Sequence, residues 1–103
     1  MILEHAVLDV VPGRETDFEW AFGEARELIS ASPGFLGLEL LRSFETPSRY
    51  LLLVRWESVE AHTVGFRQGP SYERWSSLLH RFYSPFPVVE HYSSALSTSS
   101  SVV

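Results

Sequence analysis

Four histidines and a set of carboxylates carry whatever acid–base chemistry this 103-residue chain performs. It contains no cysteine, which excludes both thiolate chemistry and disulfides. His5 and His91 sit in near-repeated contexts, Ile2-Leu3-Glu4-His5 and Val88-Val89-Glu90-His91. An imidazole whose pKa is set by a nearby carboxylate is a general base suited to a phenol or an enolisable carbon. The plainer alternative is a hydrogen-bonded pair at a sheet edge or a subunit seam. His62 falls in a helical stretch, where it either serves chemistry or ties the helix to a sheet and caps a pocket. His80, five residues after Trp75 and beside Arg81, reads as surface or pocket rim. Imidazoles grouped with Glu4 or Glu90 would suit zinc, iron or manganese. No H-x-x-E or H-x-H spacing supports that arrangement, and no metal is expected.

A second group is aromatic. Trp56, Phe66, Tyr72 and Trp75 are core residues by spacing, yet such a cluster is also what a flat ligand stacks on. With Arg55 they form the candidate substrate-binding set. Trp20 lies off the main apolar stripe and is a candidate interface residue. Glycine-rich phosphate loops, a nucleophile elbow and dinucleotide fingerprints are absent, so no bound flavin, nicotinamide or nucleotide is expected.

The elements that must position these residues follow from periodicity. Ile2 to Val11 reads as a strand closed by Pro12-Gly13. Phe18, Ala21, Phe22, Ala25, Leu28 and Ile29 then keep the spacing of an amphipathic helix, stopped by Ser32-Pro33-Gly34. Phe35 to Glu45 is a second strand with Gly37 as a bulge. Thr46-Pro47-Ser48 turns the chain into a third, Arg49 to Glu57, as an antiparallel hairpin. Ser58 is a candidate N-cap for a helix through Phe66. Gly69-Pro70 interrupts it, and Tyr72, Trp75, Leu78, Leu79 and Phe82 share one face of its continuation. Val88 to Tyr92 is a last short strand, and the Ser-rich segment 93–103 is expected to be a mobile tail. The order βαββαβ is that of an α+β, ferredoxin-like domain over residues 1–92, with a four-stranded antiparallel sheet. Its first and last strands are then neighbours, which would place His5, His91, Glu4 and Glu90 in one polar belt.

Composition narrows the partners. Hydrophobic residues make up 45% of the chain, including seven Phe, four Tyr and three Trp. Net charge is −5, and the eight cations, all Arg, are scattered; nucleic-acid binding would need a basic face. No apolar stretch approaches the roughly 20 residues of a membrane span, and Glu4 and Asp9 break the only early apolar run. A cytoplasmic protein is expected, with neither membrane nor nucleic acid as partner. Two helices cover one face of a ferredoxin-like sheet, yet strands one and three are apolar on both parities. Ala6, Leu8 and Val10 alternate with Leu3, Val7 and Val11, and Tyr50, Leu52, Val54 and Trp56 alternate with Leu51 and Leu53. A sheet hydrophobic on both faces needs cover on both. A second copy of the chain is the simplest cover, so a homodimer is expected.

Several segments, in order, resemble the antibiotic biosynthesis monooxygenase family. These are Pro12-Gly13 before the first helix, Ser32-Pro33-Gly34-Phe35 entering strand two, Trp56-Glu57-Ser58-Val59-Glu60-Ala61-His62, and Gly69-Pro70-Ser71-Tyr72. The resemblance spans about residues 2–92 and implies a dimeric α/β barrel with a small-molecule pocket between sheet and helices in each subunit. That family includes cofactor-free oxygenases of polycyclic phenols, haem-degrading enzymes and isomerases of small signalling molecules, so the fold does not decide the reaction. The haem-degrading branch uses an Asn on strand one, and a Trp and a haem-ligating His on helix two. This chain has no Asn; Phe66 stands near the Trp position, and the His region reads Glu73-Arg74-Trp75-Ser76. Haem, or any other cofactor, is therefore not expected. The resemblance implies a cofactor-independent monooxygenase or isomerase of a small aromatic or enolisable metabolite. Its base would be His5, His62 or His91, with Tyr72, Trp75 and Arg55 polarising the substrate. The alternative is a non-catalytic dimeric binding or accessory module.

Overall fold

The computed structural model describes residues 1–100. Its elements are β1 (Ile2–Asp9), α1 (Glu15–Ser30), β2 (Phe35–Arg42), β3 (Arg49–Trp56), a π-helical segment (Ala61–Phe66), α2 (Tyr72–Leu79), a 3₁₀ turn (His80–Phe82) and β4 (Val89–Tyr92). All strand pairs are antiparallel, in the order β2-β3-β1-β4. This is the split βαβ arrangement of a ferredoxin-like domain, with the expected chain order. Ser93–Ser100 has no regular secondary structure, and the last residues of the expected tail, 101–103, lie outside the described residues.

Local chemistry explains the joints. Gly13 takes φ +93°, and its N–H donates to Glu15 Oε1 at 2.9 Å, tying the turn to the first turn of α1. Phe18, Phe22, Ala25 and Ile29 form the buried stripe of that helix. After it, Gly34 takes φ +87° where a Cβ would sit 2.7 Å from Ala61 Cβ, so the turn before β2 packs directly on the second helical region. The bulge expected at Gly37 is present, as a register shift between Phe35 and Gly37.

Strand ends differ from expectation. β1 stops at Asp9, because Val10 instead bridges Tyr83 and Val11 N–H donates to Phe82 O; the chain after α2 takes over its pairing. β2 stops at Arg42, where the chain turns through Ser43–Ser48. The helix expected from Ser58 to Phe66 starts as read, with Ser58 Oγ accepting the Ala61 N–H at 3.1 Å. It then widens into π geometry over Ala61–Phe66. Such wide turns recur at functional sites.

The core lies between the sheet and the helices. Phe18 contacts Tyr50, Phe22, Phe82 and Tyr83 at ring separations of 4.9–6.3 Å, and Trp56 and Val54 are fully buried. The other sheet face carries Leu3, Val7, Leu41, Leu51 and Leu53, half-buried or exposed, with no helix among the described residues packed over it. No helix among the described residues is long and apolar enough to cross a membrane.

Candidate functional site

Alternation along a strand sends successive side chains to opposite faces, and register decides which ones meet. Glu4 pairs with His91 and His5 with Glu90. The single polar belt expected from the two Glu-His dipeptides therefore does not form: Glu4 and His91 point to the helix side, His5 and Glu90 to the open side. His5 there lies edge-on to Tyr92, ring centroids 5.6 Å apart.

On the helix side the structure assembles a chain of four groups. Glu4, at 5% exposure the most buried carboxylate described, accepts the Trp56 Nε1–H at Oε1 (2.9 Å). The same oxygen lies 3.3 Å from His62 Nε2. His62 Nδ1 is 2.8 Å from His91 Nε2. The His62 ring stacks on Trp56 at 5.5 Å and 20°, which leaves it little room to rotate. The π-helical turn thus aims a buried imidazole at the sheet, with one nitrogen toward the carboxylate and the other toward the edge strand β4.

Electrostatics leave both imidazoles of this chain neutral near pH 7. Burial raises the Glu4 pKa above its usual 4.5, opposed by the Trp56 hydrogen bond and by Arg67. Burial, aided by Arg67 and His91, lowers His62 to about 3. His91 is also lowered, by burial and then Arg67. At neutral pH both imidazoles are uncharged, each with one ring proton and one free lone pair. Two arrangements satisfy the distances. In one, His62 donates from Nε2 to an ionised Glu4 and accepts at Nδ1 from His91. In the other, a protonated Glu4 donates to Nε2, and Nδ1–H donates to His91. The two differ by one proton: in passing from the second to the first, Glu4 gives its proton to His62 Nε2, His62 gives its Nδ1 proton to His91 Nε2, and His91 releases its outer Nδ1 proton.

Glu4 and His62 open onto a cavity of about 40 Å³ whose helical wall includes Phe66, Tyr72, Trp75 and His80. Arg67, Tyr83, Phe86 and Pro87 also line it. Of the expected binding residues, Phe66, Tyr72 and Trp75 do line the cavity, and Trp56 backs the relay. Arg55 pairs with Leu3 and Gly37 on the open face, and the structure does not bring it to this site. His80, read from sequence as rim, is a cavity wall residue. Its signal was its place one helical turn beyond Ser76, whose Oγ lies 2.8 Å from His80 Nδ1. A wider groove of about 600 Å³ beside α1, with Trp20 on its wall, contains no histidine. Its Glu19 is committed to the Tyr50 hydroxyl (2.6 Å) and to Arg42 (3.4 Å), so acid–base chemistry is better placed at the smaller cavity.

Among the described residues no three His, Asp or Glu side chains form a metal-holding group. Haem does not fit the residues present either. Both ring nitrogens of His62 are already engaged, which leaves neither to ligate iron.

Comparison with known proteins gives the site a context. Residues 1–77 match the family model described as antibiotic biosynthesis monooxygenase. The uncharacterized protein YczJ of Bacillus subtilis is 47% identical over 92 residues, covering 89% of this chain and 97% of that protein. A mycobilin-producing heme oxygenase of Mycobacterium tuberculosis is 37% identical over 64 residues, 62% of this chain and 60% of its own. A solved Bordetella bronchiseptica structure, provisionally named an antibiotic biosynthesis monooxygenase, superposes with a TM-score of 0.87 at 41% identity, covering 92% of this chain and 97% of its own. SnoaB, a cofactor-independent oxygenase of Streptomyces nogalater, superposes at 0.79 with 17% identity, covering 93% of this chain and 95% of its own; at that identity the likeness is one of fold.

Proposed function

Because this chain belongs to the antibiotic biosynthesis monooxygenase family, we propose that it is a cofactor-independent monooxygenase of a small aromatic or enolisable metabolite. The observation that carries this reading is the continuous Glu4–His62–His91 chain, 3.3 and 2.8 Å long in its two steps, running from the cavity to the edge strand. Glu4 takes the substrate proton. A raised pKa makes its carboxylate a better base than a free one. His62 and His91 then pass that proton outward, which resets Glu4. The substrate anion supplies electrons to dioxygen. A C–O bond forms, the peroxide O–O bond breaks with loss of water, and R₂CH₂ + O₂ → R₂C=O + H₂O balances without a redox cofactor. Oxygenase relatives with this fold, one of them cofactor-independent, support the choice of reaction.

The proposal includes a cytoplasmic homodimer joined through the open sheet face. Leu41 and Val7 there are 43% and 38% exposed, and Leu3, Leu51 and Leu53 continue the patch. Apolar area of this extent favours a second copy as cover.

The small cavity favours a second reading, in which the same dimer binds a metabolite without turning it over. Oxygen consumption separates the two. Wild-type protein with a panel of naphthols, anthrone-like ketones and 1,3-diketones is expected to consume one O₂ per substrate in at least one case. Glu4→Gln is expected to slow that reaction by about 10²–10⁴-fold, the usual worth of a general base. Tryptophan-fluorescence binding with no oxygen uptake for any compound would select the binding module.

A further inference from the structure

The relay accounts for the proton but leaves unassigned the oxygen on which the substrate's negative charge collects. A phenol or an enolisable carbonyl places that charge on oxygen, and a water-poor site must offer it a donor. His80 is suited to the task. It stands at the end of α2, on the helical wall of the cavity whose sheet wall carries Glu4. Its Nδ1 lies 2.8 Å from Ser76 Oγ. A hydroxyl donating to Nδ1 leaves the single ring proton of neutral imidazole on Nε2, the nitrogen not engaged by Ser76. Three aromatic rings hold the imidazole: Phe86 at 4.9 Å, Tyr83 at 5.7 Å and Tyr72 at 6.0 Å.

We infer that His80 is a catalytic residue whose Nε2–H binds the developing oxyanion, with Ser76 as the positioning residue that fixes its tautomer. This rests on the proton-abstraction reading above and sharpens it. The substrate class becomes one whose acidic hydrogen and charge-bearing oxygen are joined by a short conjugated path: a phenol or a 1,3-dicarbonyl. With only about 40 Å³ inside, the reacting portion enters and the remainder lies toward Phe86, which is 62% exposed. Proton balance is kept, since the substrate proton goes to Glu4 while His80 shares its own without releasing it. Burial, with Arg67 adding to it, lowers the His80 pKa. The ring therefore stays neutral near pH 7, and its remaining proton is not lost to the anion.

The test uses 4-nitrophenol as a probe, because its phenolate absorbs in the visible and reports ionisation without turnover. Wild-type protein is expected to raise the phenolate fraction of bound dye over that of free dye at the same pH. His80→Ala should still bind the dye but lose about 10²-fold in its bound ionisation constant, the lower end for removing one anion-binding donor. His80→Gln, which keeps an N–H donor, should recover part of the effect. Ser76→Ala should lower the phenolate fraction with binding unchanged. Nitrogen-15 chemical shifts should place the His80 proton on Nε2. If His80→Ala fails to fold, His80→Gln, Ser76→Ala and the tautomer assignment decide. A bound phenolate fraction indifferent to His80 and Ser76, or a proton found on Nδ1, would overturn the assignment and leave the Glu4 relay standing. Turnover that survives Glu4→Gln would instead remove the relay. A wild-type protein that takes up no dye would remove both.

Discussion

The two faces of the sheet are built from the same residue types and do different work. Each of the dipeptides Glu4-His5 and Glu90-His91 sends one member to each face. The helix side receives Glu4 and His91, with His62 inserted between them. The open side receives His5 and Glu90. Desolvation separates the two sets. On the helix side burial raises one pKa and lowers two, which aligns a carboxylate and two neutral imidazoles for proton exchange. Composition alone distinguishes nothing here. A one-residue change of register would exchange the two sets of side chains, so register, held by the long β1–β3 pairing and the short β1–β4 pairing, is what creates the site.

The largest expected contrast between the faces is in stability. Trp56 is fully buried, stacks on His62 and donates to Glu4, so Trp56→Ala should cost about 3–5 kcal/mol. Leu53 lies on the open face, one strand position from Val54, and is only half-buried. Leu53→Asp should change the stability of the isolated subunit by less than about 1 kcal/mol while dissociating the dimer. Urea unfolding measures the first and sedimentation velocity the second. Equal losses of stability at both positions, with no change in mass, would mean that the open face is covered in some way other than by a second copy.

An intermediate effect concerns pH and involves the helix side alone. Unfolded His62 takes a proton near pH 6.5, whereas the folded residue resists down to about 3. In that window the unfolded chain binds more protons, so stability climbs with rising pH by up to about 1.4 kcal/mol per unit and is complete above 6.5. His91 acts in the same direction. Glu4 acts in the opposite one. Its raised pKa adds stability at low pH that is lost as pH rises from 4.5 through the folded value. Above pH 4.5 Glu4 therefore opposes the two histidines and makes the climb shallower than they alone would give. Glu4→Gln should steepen the upper part, and His62→Phe should flatten the whole. Urea midpoints across this range measure the shape, and a wild-type profile flat from pH 3 to 6.5 would mean that His62 is not held neutral.

Much of the scaffold was legible before any coordinates. Alternating apolar residues, the Pro12-Gly13 and Pro33-Gly34 stops and the short Thr46–Ser48 link yield the observed element order, and Gly37 is a bulge as read. What local patterns cannot convey is which residue of one strand faces which residue of another. The paired Glu-His motifs suggested one cluster, and antiparallel registry separated them. Strand ends were missed for a related reason: Val10 has strand-like chemistry, but Tyr83 captures it. Nothing periodic marks the π turn at Ala61–Phe66, and that turn is what points His62 toward Glu4. The aromatic lining at Tyr72 and Trp75 was readable from spacing, because the two share one face of α2, and Phe66 joins them from the preceding turn by ring contact at 5.5 and 5.4 Å.

The smallest expected effect tests the comparison most directly, because it changes the same residue type on the two faces. His91→Ala removes the outer link of the relay. Protons must then leave Glu4 through His62 and water alone, and turnover should fall by about 10–100-fold, near the low end of what a positioned proton-transfer group contributes. His5→Ala removes an imidazole that contacts Tyr92 on the opposite side of the sheet and does not line the cavity. Its stability should change by no more than about 0.5 kcal/mol, and its turnover by less than twofold. Steady-state oxygen uptake on both variants, with dimer mass checked, gives the ratio. If His5→Ala proved as damaging as His91→Ala in an intact dimer, the chemistry would belong to the face between subunits, and the relay on the helix side would be a structural hydrogen-bond chain.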